Sequence, residues 1–531
     1  MRRAGILALG VAGAFGLLAA GAQAAPVAGD FDGDGNADLA VDVEGQTVSG
    51  HPGAGAVQVI YGSHHGLSGA RDRIFTEDTP KVRQAAGDSD AWGLALATGH
   101  FNGDRFADLA IGSPLKDTGG ASDAGSVQIL YGSKRGLRPR GSRLLIEGRH
   151  GLPGSVSAGD QFGISLAAAN LGRSGEDDLA IGSSAAVGGN SGAGAVDVVY
   201  GSRRGLRPKH SKRFTQDTPG VKDHAESGDG LGFALAAADF GRDSHADLAI
   251  GALHESAGAV ANAGAVNVLY GSRRGLRARR SQFFSQDTPG VPDAAESGDT
   301  FGWSLGAADL GRSRRADLAI GAPAETVGAA SYAGAVNVLY GSRAGLRAKG
   351  SQFITQDSLG GIGEGSEFED EFGVSLAAAD FGRGKPADLA IGVPYECVGS
   401  SPCVTSAGEV NVVYGSSHGL ANSGSGAQLV AQGPPFKDAP EQYDTFGWAV
   451  AAGRFRGTRV NDLAAGAPIE DVVNPDDHAG AVMVVRGSAS GITPSHDQFL
   501  TQGSGALEGS PEQNDLFGNE LSGTKSTVPY D

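Results

Sequence analysis

Cysteine is nearly absent from this chain of 531 residues: it has two, Cys397 and Cys403, in "ECVGSSPCV". Two cysteines cannot complete a zinc site, and the five residues between them do not match a zinc spacing. In an exported protein so close a pair reads as a small disulfide. Long apolar runs are scarce: beyond the N-terminal segment none reaches the ~18 residues that a membrane span needs. Positive charge is in deficit, 42 Lys and Arg against 60 Asp and Glu, for a net charge of −18. Such a chain repels phosphate backbones, which argues against nucleic acid as a partner. The 12 histidines are scattered without an H-E-x-x-H pair, and no P-loop or dinucleotide fingerprint appears. Aromatic residues are only 6%.

Glycine is plentiful, at 88 residues, and hydrophobic content is 40%. High glycine without a Gly-X-Y period, beside alternating apolar runs, predicts many strands and many turns. The first residues read as an address. Arg2 and Arg3 precede the uncharged run "AGILALGVAGAFGLLAAG", and "AQA" at Ala22–Ala24 is a small-x-small cleavage pattern. Residues 1–24 are therefore expected to be a signal peptide and 25–531 the mature chain, with an uncleaved anchor as the alternative. The mature protein is expected to be secreted, in the medium or at the cell wall, and without a membrane span.

The stretch "DFDGDGNADLA" recurs. Seven copies begin at Asp30, His100, Asn170, Asp239, Asp309, Asp380 and Arg454. Each ends in an Asp followed by Leu: Asp38, Asp108, Asp178, Asp247, Asp317, Asp388 and Asp462. The last six follow a Phe-Gly or a variant: Trp92-Gly93, Phe162-Gly163, Leu231-Gly232, Phe301-Gly302, Phe372-Gly373 and Phe446-Gly447. Downstream comes "GAVNVLYGS" or a relative of it, and Val266, Val268 and Tyr270 alternate as a strand does. Four strands fit each unit: one opening at Phe-Gly, then "DLAIG", "GAVNVLYG" and "SQFFSQD". Such units around an axis are the blades of a β-propeller. The first copy has no Phe-Gly before it, and Phe517-Gly518 near the C-terminus has no loop after it. A ring uses both: the C-terminal strand completes the blade that the N-terminus begins, and exposed strand edges vanish. The expected fold is all-β, a seven-bladed propeller of four-stranded antiparallel blades closed by its two ends. An open solenoid would not need complementary ends.

Phe-Gly, an Asp-rich loop and then Gly-Ala-Pro, repeated in register over nearly the whole mature chain, resembles the FG-GAP repeats of the integrin α-subunit propeller and its bacterial relatives. The resemblance implies a seven-bladed propeller with calcium in such loops, and often a role in adhesion. With no leg domains or membrane span in this chain, an integrin role itself is not implied. The Phe-Gly is degraded at Trp92 and Leu231.

Calcium takes 6 to 8 oxygen ligands. In the first loop Asp30, Asp32, Asp34 and Asp38 fall at positions 1, 3, 5 and 9, Asn36 offers its carbonyl at position 7, and Gly35 permits the tight turn. Val41 stands where an EF-hand has glutamate, and both flanks are strand-like, so the reading is a β-hairpin calcium (Ca2+) site. The second loop retains His100, Asn102, Asp104 and Asp108, and the fourth Asp239, Asp243 and Asp247 with Gly241 at position 3; both are candidates. The fifth keeps Asp309, Ser313 and Asp317; the third, sixth and seventh have lost too many oxygens. The position-nine aspartate survives in all seven, which predicts a structural role in accepting backbone N–H bonds. An aspartate also stands two residues before each Phe-Gly-type pair, as at Asp160 and Asp299, and reads as a turn residue.

"GWSLG", Gly302–Gly306, matches the nucleophile elbow G-x-S-x-G, but "GISLA" and "GVSLA" occupy the same register, so Ser304 is expected in an ordinary strand. Charge is sorted by loop. Third turns such as "SRRGLRPKHSKR" are basic and blade-to-blade links such as "QDTPGVPDAAESGD" are acidic, predicting an acidic face opposite a basic outer rim. Two function classes follow. One is an exported calcium-binding module for an extracellular protein or glycan, with a part in cell adhesion. The other is an extracellular hydrolase, esterase or phospholipase D-like, with a composite site, since FG-GAP propellers resemble the appended domain of glycosylphosphatidylinositol-specific phospholipase D.

Overall fold

The computed structural model describes residues 27–522 apart from 364, 400, 401, 422–425 and 476. The expected leader, 1–24, lies outside the described residues. The described chain is all-β: seven four-stranded antiparallel sheets form the blades of a ring. The fourth blade is typical, with strands Leu231–Ala238, Asp247–Ala252, Ala265–Tyr270 and Arg277–Phe284 in sequence order from axis to rim. The ring closes as the complementary ends require. Phe517–Leu521 is the inner strand of the first blade and pairs antiparallel with Leu39–Val43. The Ser522 N–H donates to the Ala40 carbonyl (2.9 Å), and the Ala40 N–H donates to Ser522 Oγ (2.9 Å).

The third strands form where the alternation predicts them, and all six residues of Ala265–Tyr270 are buried. Each blade packs on a neighbour at both faces, so neither face meets water. The outer strand also differs from expectation. It begins at Arg277, within the stretch read as a basic turn, and its first residues alternate exposed and half-buried. Only the rim strand has a free edge, and charge there discourages edge-to-edge pairing. The inner strands converge on the axis, where "SLAAA", "LGAA" and "VAAG" leave a cavity of about 300 Å³ lined mainly by Ala, Leu and Gly.

Neighbouring blades are tied by repeated polar staples. Tyr200, Tyr270, Tyr340 and Tyr414 each accept a backbone N–H of the next blade, from Leu276, Leu346, Leu420 and Ile492, at 2.8–3.2 Å. Gln282 and Gln352 donate to the carbonyls of the same Leu346 and Leu420 (3.0 Å each). At the seam Arg486 stands in the tyrosine position and reaches the His65 carbonyl, while Gln498 holds Leu67 from both sides. Ser304 is fully buried and donates to the Gly373 carbonyl of the next blade (2.6 Å), as Ser165 and Ser375 do to Gly232 and Gly447. Cys397 and Cys403 form the expected disulfide.

One position breaks the repeat. Four residues after the position-nine aspartate, six blades have glycine: Gly112, Gly182, Gly251, Gly321, Gly392 and Gly466. A side chain at any of them would fall on the carbonyl of the next blade's Phe-Gly glycine. The first blade has Asp42 there, fully buried against Gly93. Neither of its oxygens has a hydrogen-bond partner beyond a marginal approach of the Val43 N–H. Burial, then the charges of Glu44 and Glu520, raises its pKa well above the ordinary value. Burial also pushes Glu44 up to about 7. For carboxyls raised in the fold, the stabilising contribution is complete below the unfolded pKa and is lost as pH rises through the folded one. Melting is therefore expected to fall between about pH 5 and about pH 7, the Glu44 window, with Asp42 adding to the fall in the same direction. Asp42→Asn should melt higher than the parent at the alkaline end and show a shallower fall. Calorimetric melts over that range check this; an unchanged profile would contradict it.

Candidate metal loops and blade junctions

Each Asp-rich loop is the first turn of its blade, on the same face as the third turns: the Arg173 Nε in one donates to the Arg274 carbonyl in the third turn of the next blade (3.2 Å). Second turns and links meet on the opposite face, as where the Gly159 N–H donates to the Ser122 carbonyl (2.9 Å). The basic residues Lys134, Arg135, Arg203 and Arg204 are exposed on the first face and the acidic Asp223, Glu226, Asp293 and Glu296 on the second.

The opening loop brings Asp30, Asp32 and Asp34 together, each with a carboxylate oxygen within 4.8 Å of the other two. Asp30 and Asp32 are buried and Asp34 is exposed. The Asp30 carboxylate accepts the N–H groups of Gly33, Asp34 and Gly35 (2.6–3.1 Å), so the backbone wraps around it. Burial outweighs those bonds and raises the Asp30 pKa, with a smaller push from Asp34 and Asp32. The Asn36 amide donates to Asp34 Oδ1 (2.8 Å), and its own buried Oδ1 has no hydrogen-bond partner. Arg71, more than half exposed, pairs with Asp32. Converging carboxylates beside an unsatisfied amide oxygen form the hard-oxygen donor set that suits calcium. Asp38 is separately engaged: its oxygens accept the Phe31 and Gly62 N–H groups (2.7 and 2.9 Å).

The same pair of bonds recurs at Asp108, Asp178, Asp247, Asp317 and Asp388, from the residue seven before and from the glycine ending the third strand. Burial raises Asp108, Asp178 and Asp247 to about 8, and Asp317 and Asp388 to about 7, despite those bonds.

The other two candidate loops are arranged differently. Asn102 Oδ1 accepts the Asp104 N–H (2.7 Å), Asp104 Oδ1 accepts the Phe106 N–H (3.0 Å), and Asn102 Nδ2 leans on Asp108 (3.3 Å). Those oxygens cap the turn. In the fourth loop Asp239 pairs with Arg315, which also donates to the Asp243 carbonyl, while Asp243 caps the His245 N–H (2.9 Å). Sequence reasoning missed a substitution here. At position 4, where the first two loops have Gly33 and Gly103, the next four have Arg173, Arg242, Arg312 and Arg383. Each guanidinium stacks 3.4–3.9 Å from the ring centre of Tyr200, Tyr270, Tyr340 or Tyr414. Each Nε donates to a carbonyl of the next blade, at Arg274, Ala344, His418 and Ser490 (2.7–3.2 Å). A fixed cation stands in these loops.

An FG-GAP repeat model matches residues 92–130, which include Trp92-Gly93 and the second loop. The chain is an integrin-α-like FG-GAP propeller. It is similar to phosphatidylinositol-glycan-specific phospholipase D of Homo sapiens, 32% identical over 174 residues, covering 32% of this chain and 19% of that protein. It is similar to integrin alpha-PS2 of Drosophila melanogaster, 29% identical over 265 residues, 49% of this chain and 17% of that one. Integrin alpha-IIb of Homo sapiens is 32% identical over 171 residues, 30% of this chain and 14% of its own length. The matched part thus spans a fifth or less of each relative. No helix among the described residues is long and apolar enough to cross a membrane.

Among the described residues the link face carries four further acidic clusters, one at each junction from the third blade to the seventh: Glu226, Asp229 and Glu255; Glu296, Asp299 and Glu325; Glu367, Asp370 and Glu396; Glu441, Asp444 and Glu470. The aspartate is the one two residues before the Phe-Gly-type pair, and its turn role holds, since it accepts the N–H of the glutamate three residues earlier (2.5–2.6 Å). The second glutamate lies eight residues beyond the position-nine aspartate and was not singled out by its sequence context.

Proposed function

We propose that the chain is an exported binding module, of the kind that serves adhesion, stiffened by calcium in the opening loop. The observation that carries the calcium reading is the Asp30–Asp32–Asp34 cluster beside the unsatisfied Asn36 oxygen. Those side chains would hold the ion, with Asp38 shaping the turn around them. The loop lies at the ring's seam: the Ala37 N–H donates to the Arg454 carbonyl of the last blade (2.9 Å), and the Asp30 carbonyl accepts the Ala107 N–H of the second (2.9 Å). An ion there would couple three blades. Export is supported by the N-terminal address. The partner class is an extracellular protein or glycan, held on the face of links and second turns, and similarity to two integrin α chains supports that class.

A calorimetric calcium titration of the chain beside Asp32→Ala with Asp34→Ala tests the ion. One binding event is expected to disappear in the variant, and calcium at about 100 times its Kd should stabilise the parent by about 2.7 kcal/mol more than the variant. Equal heats and equal melting shifts would remove the reading.

The second reading, a hydrolase, draws on the similarity to a phospholipase D. Ser304 is not its nucleophile, being buried and bonded to Gly373. Turnover of ester or phosphodiester substrates, abolished by one pocket substitution, would favour it.

A further inference from the structure

The seven blade junctions present one arrangement with three electrostatic solutions. Each junction joins a residue one or two places past an outer strand, the aspartate two before the next Phe-Gly-type pair, and the residue eight beyond the next position-nine aspartate. At the first junction these are Glu77, Asp90 and Lys116, and the lysine Nζ lies 3.1 Å from Glu77 and 2.5 Å from Asp90. At the second, Glu147 is met by Arg213 instead. At the seventh the set is Gln502, Asp515 and Gln46, with a single carboxylate. At the middle four the set is glutamine, aspartate and glutamate, and no basic side chain enters among the described residues.

The middle junctions therefore bury two carboxylates apiece without a counter-charge. Asp229, Glu255, Asp299, Glu325, Asp370, Glu396, Asp444 and Glu470 are each 3% exposed or less. Carboxylates so placed are costly unless they are protonated, paired or bound to a metal. A second observation points to what is bound. Gln216, Gln286, Gln356 and Gln432 are each at most 4% exposed and reach into the clusters, where Nε2 donates to Glu255, Glu325, Glu396 and Glu470. The Oε1 of every one has no hydrogen-bond partner. Turning the amide over, a change crystallography itself rarely distinguishes, brings that oxygen to the carboxylates as a donor toward a cation. The exposed Glu226, Glu296, Glu367 and Glu441 form the solvent side of each cluster and leave it open to an ion.

We infer that the four middle junctions are binding sites for a hard divalent cation, each held by the buried aspartate and glutamate, the glutamine oxygen and the solvent-side glutamate, and occupying the place that the Lys116 ammonium takes at the first junction. All donors are oxygen, and water can complete the shell, as calcium and magnesium require. The ion bridges two blades on the face opposite the Asp-rich loops, so this inference stands apart from calcium in the opening loop.

The test uses chelator-stripped full chain and calcium alone as the probe, in the Asp32→Ala, Asp34→Ala background. Calcium binding is expected to persist there. Each of Glu255→Gln, Glu325→Gln, Glu396→Gln and Glu470→Gln should lower the stoichiometry by one, and the four together should abolish it. Glutamine at this position copies Gln46 of the seventh junction, so the fold is retained, and ion-free melting verifies it. Glu325→Lys, which copies Lys116, should raise the ion-free melting temperature and remove one equivalent of calcium. No binding at millimolar calcium, or a stoichiometry unmoved by the glutamate substitutions, would overturn the inference. If parent and loop variant bind equally while the junction variants lose ions, the opening-loop reading fails and this one stands.

Discussion

Removing Phe517–Ser522 is expected to destabilise the ring by roughly 5 kcal/mol, more than any single substitution considered above. Phe517 and Leu521 are both essentially unexposed, and burying side chains of this kind contributes about 1.5–3 kcal/mol each. The loss goes further than those two. Leu39–Val43 would become an inner strand with a bare edge facing the axis, and the inner part of the face that the seventh and first blades share would be lost. An unpaired strand edge recruits other chains. The shortened chain should melt at a much lower temperature and form higher oligomers on size-exclusion chromatography. A peptide spanning 515–522, added in excess, should recover part of the loss by filling the same slot. A shortened chain that stays monomeric and melts with the parent would show that the seam does not hold the ring.

Asp317→Ala is expected to cost about 2–6 kcal/mol, because it strands two buried N–H donors at about 1–3 kcal/mol each. Asp317 is fully buried, and its oxygens accept Leu310 at 2.8 Å and Gly341 at 2.7 Å. These bonds tie the start of the Asp-rich loop to the end of the third strand, so one carboxylate fixes both ends of the blade's lower edge. Asp317→Asn keeps one acceptor and should lose about half as much. Calcium should not rescue either variant, since Arg312 and Tyr340 already occupy the place beside this loop. Asp38→Ala is the informative contrast. It should lose a similar amount and also weaken calcium in the opening loop, whose backbone it holds through Phe31. Urea denaturation with and without calcium separates these outcomes. Equal calcium rescue at Asp317 and at the opening loop would mean that the position-nine aspartates act mainly as ligands.

Much of the architecture was legible because each blade repeats the same local instructions. Phe301-Gly302, Asp317-Leu318 and Tyr340-Gly341 or their counterparts recur in the same order, and their order along the chain is their order from axis to rim. The bonds of Asp317 could be anticipated from its persistence where metal oxygens had been lost. The opening loop could be read because its oxygens lie within nine residues. The alternation of Val266, Val268 and Tyr270 marks a strand but not its burial, since a strand sandwiched between blades buries both faces whatever its pattern.

What the sequence by itself determined is therefore the blade, the number of blades and the complementarity of the two ends. These depend on strand periodicity, on glycine where backbones touch and on local side-chain-to-backbone bonds, all of which act over a few residues. What only the tertiary structure decided is how charge is balanced between blades. Gln216 and Glu255 are 39 residues apart, and Arg242 and the Ala344 carbonyl 102, yet each pair meets across one packed face. Whether a buried carboxylate there meets Lys116, Arg213 or another carboxylate depends on side chains from two blades. Electrostatic energy in a dry interface depends on distance through space, which spacing along the chain does not record.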